Sequence, residues 1–148
     1  MPISIRWLGN AGFSIQCCGA RLIFDPYFTR VPARYVYSGR VSPNASAIRH
    51  NGQACDAVLV SHAHFDHCMD APELARQQAA DFYGSKNACA IARACGLAEA
   101  QIHRLHAGDE VHIRELDVAV IPAQHPWIPG YTRGELSEEL QLPLRLQD

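Results

Sequence analysis

The sequence predicts an α/β layered domain, and three observations carry that expectation. The N-terminal segment alternates apolar and polar residues with the two-residue period of half-buried strands. A short, fully apolar run, Asp56 to Ser61 (DAVLVS), has the character of a strand covered on both faces. Capped helical stretches then alternate with short apolar segments, the pattern of helices laid against a sheet.

In chain order, Ile3, Ile5 and Trp7 alternate with Ser4 and Arg6, and Gly9 and Asn10 mark a turn. Phe13, Ile15 and Cys17 alternate with Ser14 and Gln16, Gly19 permits a tight return, and Arg21 to Asp25 forms a third strand of an antiparallel meander. Residues 26–54 lack clear periodicity and carry three prolines and four arginines, which predicts either a flap over a substrate site or a structural excursion. Asp70 has the position of an N-cap with Glu73 as its capping-box partner, and the helix after it is expected over Ala71 to Ala80. Asp81 to Tyr83 suits a short strand. Ser85 caps a second helix that presents Ala88, Ile91, Ala92 and Cys95 on one face and stops at Gly96. Glu110 to Ile113 and Leu116 to Ile121 form a hairpin ended by Pro122, and a weak helical pattern follows at residues 134–140. The expected architecture is a mixed, mostly antiparallel sheet with helices on one face, in a single domain over residues 1–148.

Composition narrows the function classes. With 48% hydrophobic and 19% charged residues the chain suits an ordinary globular protein. A formal net charge of −2 offers no strong field for nucleic acid or anionic membrane. There is no apolar run near the ~20 residues that span a bilayer, and the N-terminus lacks the pattern of a signal peptide, so a cytoplasmic protein is expected. Six cysteines (Cys17, Cys18, Cys55, Cys68, Cys89 and Cys95) include no C-x-x-C pair and read as reduced side chains. Cys68 is set apart only by directly following the segment described next.

That segment is Val60-Ser61-His62-Ala63-His64-Phe65-Asp66-His67. Imidazole and carboxylate are the donor set of a hydrolytic Zn²⁺. In an extended segment alternate side chains point the same way, so His62 and His64 can share one ion. The turn that follows can aim Asp66 and His67 at a neighbouring position, and two ions ~3.5–4 Å apart would share one hydroxide. An H-x-H alone is weak evidence, but H-x-H-x-D-H directly after a buried strand is far more specific. A TIM-barrel hydrolase is disfavoured by length, because such barrels need about 250 residues.

The segment resembles the signature of the metallo-β-lactamase superfamily. IRWLGNAGFSI, LIFDPYF, HAGDEVHI and VAVIPAQH extend the resemblance to the subgroup of small hydrolases that includes ascorbate-phosphate lactonase-like proteins, over most of residues 1–125. The resemblance implies the N-terminal half of a four-layer αββα sandwich. It implies that His62, His64 and a later histidine, His125 in PAQHP, hold a first metal, and that Asp66 and His67 contribute to a second. Asp25, in the family's D-P position, would orient a ligand imidazole or simply end its strand. His50, His103, His106 and His112 have no such support and read as surface or hairpin residues.

The family also supplies a bridging aspartate and a final histidine from a second β/α half. Between His125 and Asp148 there is no histidine, and the one aspartate is the terminal residue, so an incomplete domain is expected. The functional expectation is a hydrolase in which a divalent ion, Zn²⁺ first and otherwise Mn²⁺, Fe²⁺ or Ni²⁺, makes hydroxide near neutral pH and Asp66 positions it or accepts its proton. The substrate would be a small ester, lactone or phosphate-containing molecule. The alternative is an inactive metal-binding or interaction fragment of the same fold, and an uncovered sheet face would favour a homo-oligomer.

Overall fold

The computed structural model describes residues 2–36 and 41–122. Three strands, β1 (Ser4–Gly9), β2 (Gly12–Cys17) and β3 (Ala20–Phe24), form the expected antiparallel meander. Strands β4 (Ala57–Val60), β5 (Asp81–Gly84) and β6 (Ile102–Arg104) then add in parallel, giving one six-stranded sheet in the order β1-β2-β3-β4-β5-β6. The sheet is therefore mixed but not mostly antiparallel, since three of its five pairings are parallel. The reason is connectivity. A helix follows β4 and another follows β5, and a strand–helix–strand crossover returns the chain in the same direction.

A short helix, α1 (Ala33–Val36), follows the meander. Helices α2 (Ala45–Asn51), α3 (Phe65–Cys68), α4 (Ala71–Gln78) and α5 (Lys86–Ala94) occupy one face of the sheet. Ile48, Leu74, Ala75, Ala88, Cys89 and Ala92 from these helices bury against Ile23, Val58, Val60, Phe82 and Ile102 of the sheet. The strand period sends Leu22, Ala57, Leu59 and Tyr83 to the opposite face, where a separate hairpin, β7 (Glu110–Ile113) and β8 (Leu116–Ala119), covers them with Ile113 and, half-buried, Val111, Leu116 and Val118. The four residues of β4 are all buried, as a strand covered on both faces must be. Towards β1 that second face is uncovered by the described residues: Ile5 is 65% and Trp7 66% exposed.

Several local expectations change. Parts of the stretch 26–54 are structural: Tyr27 and Phe28 are buried, and α2, capped by Asn44, puts Ile48 into the core. Its short apolar face, one residue deep, left no periodicity to read. Helix α4 ends at Gln78 because Ala79 takes a left-handed conformation (φ 51°), with Ala80 N–H donating to the Ala75 carbonyl. The buried face of α5 is Ala88, Cys89 and Ala92, with Ile91 half-buried. Cys95 is exposed, because the helix stops before it could complete the stripe. Gly96 does form the stop: its N–H donates to the Arg93 carbonyl and that of Leu97 to Ala92. Asp70 is not a side-chain cap and Glu73 not its partner. Glu73 pairs with Arg76 and Gln77 instead, and the Asp70 carboxylate is used elsewhere.

Candidate metal centre at the carboxyl ends of the central strands

Parallel strands present their carboxyl ends to one edge, where a crevice for ligands forms. Here β3 and β4 lie in register, Phe24 beside Leu59, so the residues that follow each strand, Asp25 and Ser61, emerge together. The β1–β2 turn opens at the same edge, since Phe13 at the start of β2 pairs with Phe24. The H-x-H-x-D-H segment leaves β4 into this junction.

The segment bends through residues 61–63, reaches His64 with an extended backbone (φ −60°, ψ 148°) and closes into the single helical turn α3. His62 and His64 lie side by side: His62 Nε2 is 2.8 Å from His64 Nδ1. The turn brings Asp66 and His67 round, with Asp66 Oδ2 3.7 Å from His67 Nε2, and sets the His67 ring 4.0 Å from that of His62 at a tilt of 47°.

Asp25 organises this group. Its backbone has a left-handed φ of 42°, the carboxylate is buried, and Oδ1 accepts from the Ser61 N–H at 2.8 Å. Oδ2 accepts from Ser61 Oγ at 2.6 Å and from His67 Nδ1 at 2.9 Å. With its hydroxyl proton committed to Asp25, Ser61 Oγ can only accept from His62 Nδ1, 3.0 Å away. The network thus places the proton of both rings on Nδ1 and turns the Nε2 lone pairs of His62 and His67 towards His64 and Asp66. Of the two roles expected for Asp25, the geometry shows it hydrogen-bonded to an imidazole of the motif.

Two further anchors were not read from the sequence. Asn10, at the β1–β2 turn, donates from Nδ2 to Asp66 Oδ2 at 3.1 Å and to its carbonyl at 3.2 Å. Its signal was the turn it occupies, which said nothing of a partner 56 residues away. Asp70, fully buried just past the motif, accepts from the N–H groups of Phe28 and Thr29 and from Thr29 Oγ1. Burial pushes its carboxyl above the usual range, against the opposing pull of these hydrogen bonds. Through them the loop after β3 is clamped to the motif, and Tyr27 meets Phe65 edge-on at 6.0 Å.

The remaining candidates separate cleanly. Cys68 is fully buried in the helix-side core, where it packs as a small apolar side chain and burial pushes its thiol far above the usual range. His50 is exposed, His103 stacks on Tyr83, His106 pairs with Asp109 and His112 with Asp117 on the hairpin; all four are remote from the motif's hydrogen bonds. His125 and the helical pattern at 134–140 lie outside the described residues. A concavity of about 400 Å³ lined by Arg6, Leu8, Phe28, His50 and Gln53 contains none of the motif side chains. The chemistry-bearing groups sit on the open strand edge instead.

The donor chemistry suits a divalent cation. Two imidazole nitrogens face one another, and a tetrahedral Zn²⁺ with bonds of roughly 2.0–2.1 Å would need them only about 3.3 Å apart. Among the described residues no three His, Cys, Asp or Glu side chains are already arranged around one point. The histidine pair could supply two donors to such an ion, and the described residues bring no third beside them.

The comparisons agree with this fold. The family model for the beta-lactamase superfamily domain matches residues 20–146. A UPF0173 metal-dependent hydrolase of Methanopyrus kandleri is 26% identical over 121 residues, 82% of this chain and 46% of that protein. One from Myxococcus xanthus is 30% identical over 122 residues, 82% of this chain and 38% of that protein. The chain spans about half the length, or less, of these relatives. Among solved structures, Igni18, a metallo hydrolase of Ignicoccus hospitalis, superposes with a TM-score of 0.58 at 20% identity, covering 83% of this chain and 49% of its own. The CmlA beta-hydroxylase also gives 0.58, at 16% identity, covering 82% and 25%. A six-stranded sheet with helices on one face, an H-x-H-x-D-H turn at its carboxyl edge and a family match over 127 residues lead to one conclusion: the chain belongs to the beta-lactamase superfamily domain family.

Proposed function

We propose that this chain carries the first metal site of a metal-dependent hydrolase acting on a small ester, lactone or phosphate-containing molecule. The observation that supports it most is the facing pair His62 Nε2 and His64 Nδ1 at the exit of a buried strand, with their tautomers organised by Asp25 and Ser61. His62, His64 and His125 would hold a divalent ion, with Zn²⁺ the natural occupant of an imidazole set, and Asp66 and His67 would contribute to a second. The ion would supply the Lewis acid that activates water and polarises the scissile carbonyl or phosphoryl oxygen. The chain's own residues then position the reaction. Asn10 holds Asp66 in place to accept a proton from the attacking water, and Asp25 keeps His67 oriented. The metal-dependent hydrolase names of the relatives support the reaction class, and a cytoplasmic setting suits six free thiols.

A second reading is an inactive metal-binding piece of the same fold. It is favoured by the CmlA beta-hydroxylase, which shares the fold under the name of a different reaction and so warns against reading chemistry from fold alone. Elemental analysis of the purified chain, beside a panel of lactone, ester and phosphodiester substrates, separates the two. One ion per chain, lost in both His62→Ala and His64→Ala, is the expected result. Undiminished metal content in either variant overturns the site, and metal without turnover on any substrate selects the second reading.

A further inference from the structure

We propose that Cys17 and Cys18 form a two-thiol chelating site, at the β2–β3 turn, for trivalent organoarsenicals of the type R–As(OH)₂. The site is independent of the histidine cluster, since Cys17 closes the end of β2 opposite the edge that carries Asn10 and Asp25.

Side chains of consecutive residues in a strand point to opposite faces. Here the left-handed backbone of Cys18 (φ 54°), followed by Gly19 (φ 79°), turns the second thiol back, so the two Sγ atoms lie 3.2 Å apart. Both residues are partly exposed, and a Cβ built on Gly19 would meet nothing within 4 Å, so the turn is open to a reagent. The other thiols are less suited. Cys68 and Cys89 are fully buried, and neither Cys55 nor Cys95 has a second thiol within hydrogen-bonding distance among the described residues, as Cys17 and Cys18 do.

The geometry selects the ligand class. A direct disulfide would need an S–S distance of about 2.05 Å and a Cα separation of at least about 4.4 Å, whereas adjacent Cα atoms are about 3.8 Å apart. Such a bond would be strained and readily reduced. A structural Zn²⁺ would need four donors, and no third His, Cys, Asp or Glu among the described residues completes a metal-holding group with this pair. Arsenic(III) carrying one organic substituent needs only two thiolates and can sit between sulfurs that stay near their present separation. In the reaction two As–O bonds break and two As–S bonds form. The two thiol protons leave with the two hydroxyl oxygens as two waters, and arsenic remains trivalent.

The test treats the full chain with phenylarsine oxide, which reacts as its hydrate, and follows intact mass and tryptic peptides. We expect one phenylarsenic group per chain, on the segment 7–21 that contains both cysteines. Because the second sulfur binds intramolecularly, a monothiol should need at least about 100-fold higher concentration than a 1,2-dithiol to release it. Cys17→Ser should lose this resistance, and so should Cys18→Asn, which tolerates the positive φ. An adduct on another segment, the same resistance in either variant, or no adduct on the wild-type chain would overturn the proposal.

Discussion

Ser61 converts the buried charge of Asp25 into the orientation of His62, because one hydroxyl can donate to the carboxylate and accept from the ring. Removing such a hydrogen-bond partner of a metal-binding histidine typically costs 10–100-fold in metal affinity. Ser61→Ala should therefore lower the chain's metal affinity by roughly that factor without unfolding it, and Ser61→Thr should restore most of it; competition with a chromophoric chelator measures both. An unchanged affinity in Ser61→Ala would show that Asp25 orients the rings without the hydroxyl. Asp70 makes a different prediction. Its carboxylate satisfies two backbone N–H groups and a hydroxyl in a fully buried position, so Asp70→Ala should destabilise the fold by about 2–4 kcal/mol in urea melts. Asp70→Asn keeps an acceptor for the N–H groups and a donor for Thr29 Oγ1, and should cost less than half as much. Burial raises the Asp70 carboxyl, so the folded state binds this proton more tightly than the unfolded chain does. Its contribution is therefore greatest at low pH and declines as pH rises from the ordinary Asp range through the raised value. Asp70→Asn should remove that slope.

At the scale of elements, the helix ends show how much a cap can be read. Gly96 announced the end of α5, because glycine adopts the left-handed C′ conformation without cost. Helix α4 ends in the same way on Ala79, an alanine that gives no such signal, and the expected helix ran two residues too long. Ala79 is exposed and contributes no core packing. Ala79→Gly should therefore relieve the positive φ and raise stability by about 0.5–1 kcal/mol, read from the urea midpoint. Loss of stability would mean that the alanine methyl, or the restriction it places on the unfolded chain, outweighs the strain. Strand β6 went unread for another reason. Ile102, its one buried residue, supplies no two-residue alternation, and the strand exists because β5 offers an open edge to pair with.

The whole molecule has an unbalanced sheet. The hairpin β7–β8 covers Leu22, Ala57, Leu59 and Tyr83, yet Ile3, Ile5, Trp7 and Phe13 on the same face stay exposed among the described residues. Contiguous apolar surface of roughly several hundred Å² is usually an association surface. The isolated chain is expected to form dimers or larger species in light scattering, and the double variant Ile5→Thr/Trp7→Thr to shift it towards monomer. A wild-type monomer at all concentrations would show the face to be covered. At the same scale, residues 1–148 supply three candidate donors for the first metal but only Asp66 and His67 for the second. At most about one tightly held ion per chain is expected, with turnover low but measurable above the metal-free background. A two-metal chain with full activity would show that donors beyond this set are present.

The meander, the doubly buried β4, the hairpin and the H-x-H-x-D-H motif were legible because each is local: a two-residue period, an apolar run or a donor spacing depends only on neighbours in the chain. The parallel majority of the sheet, the use of Asp70 as a clamp and the Asn10–Asp66 contact depend on segments 36 to 56 residues apart meeting at one edge. Asp70 had the right residue type and spacing for a cap, but its carboxylate serves unpaired backbone donors that only the folded loop brings to it. A short polar side chain bonds whatever donor the packing leaves unsatisfied, and a buried donor left unpaired costs more than an exposed helix cap provides. Local pattern therefore determined which residues are the candidates for the chemistry, and tertiary packing decided which groups hold them in place.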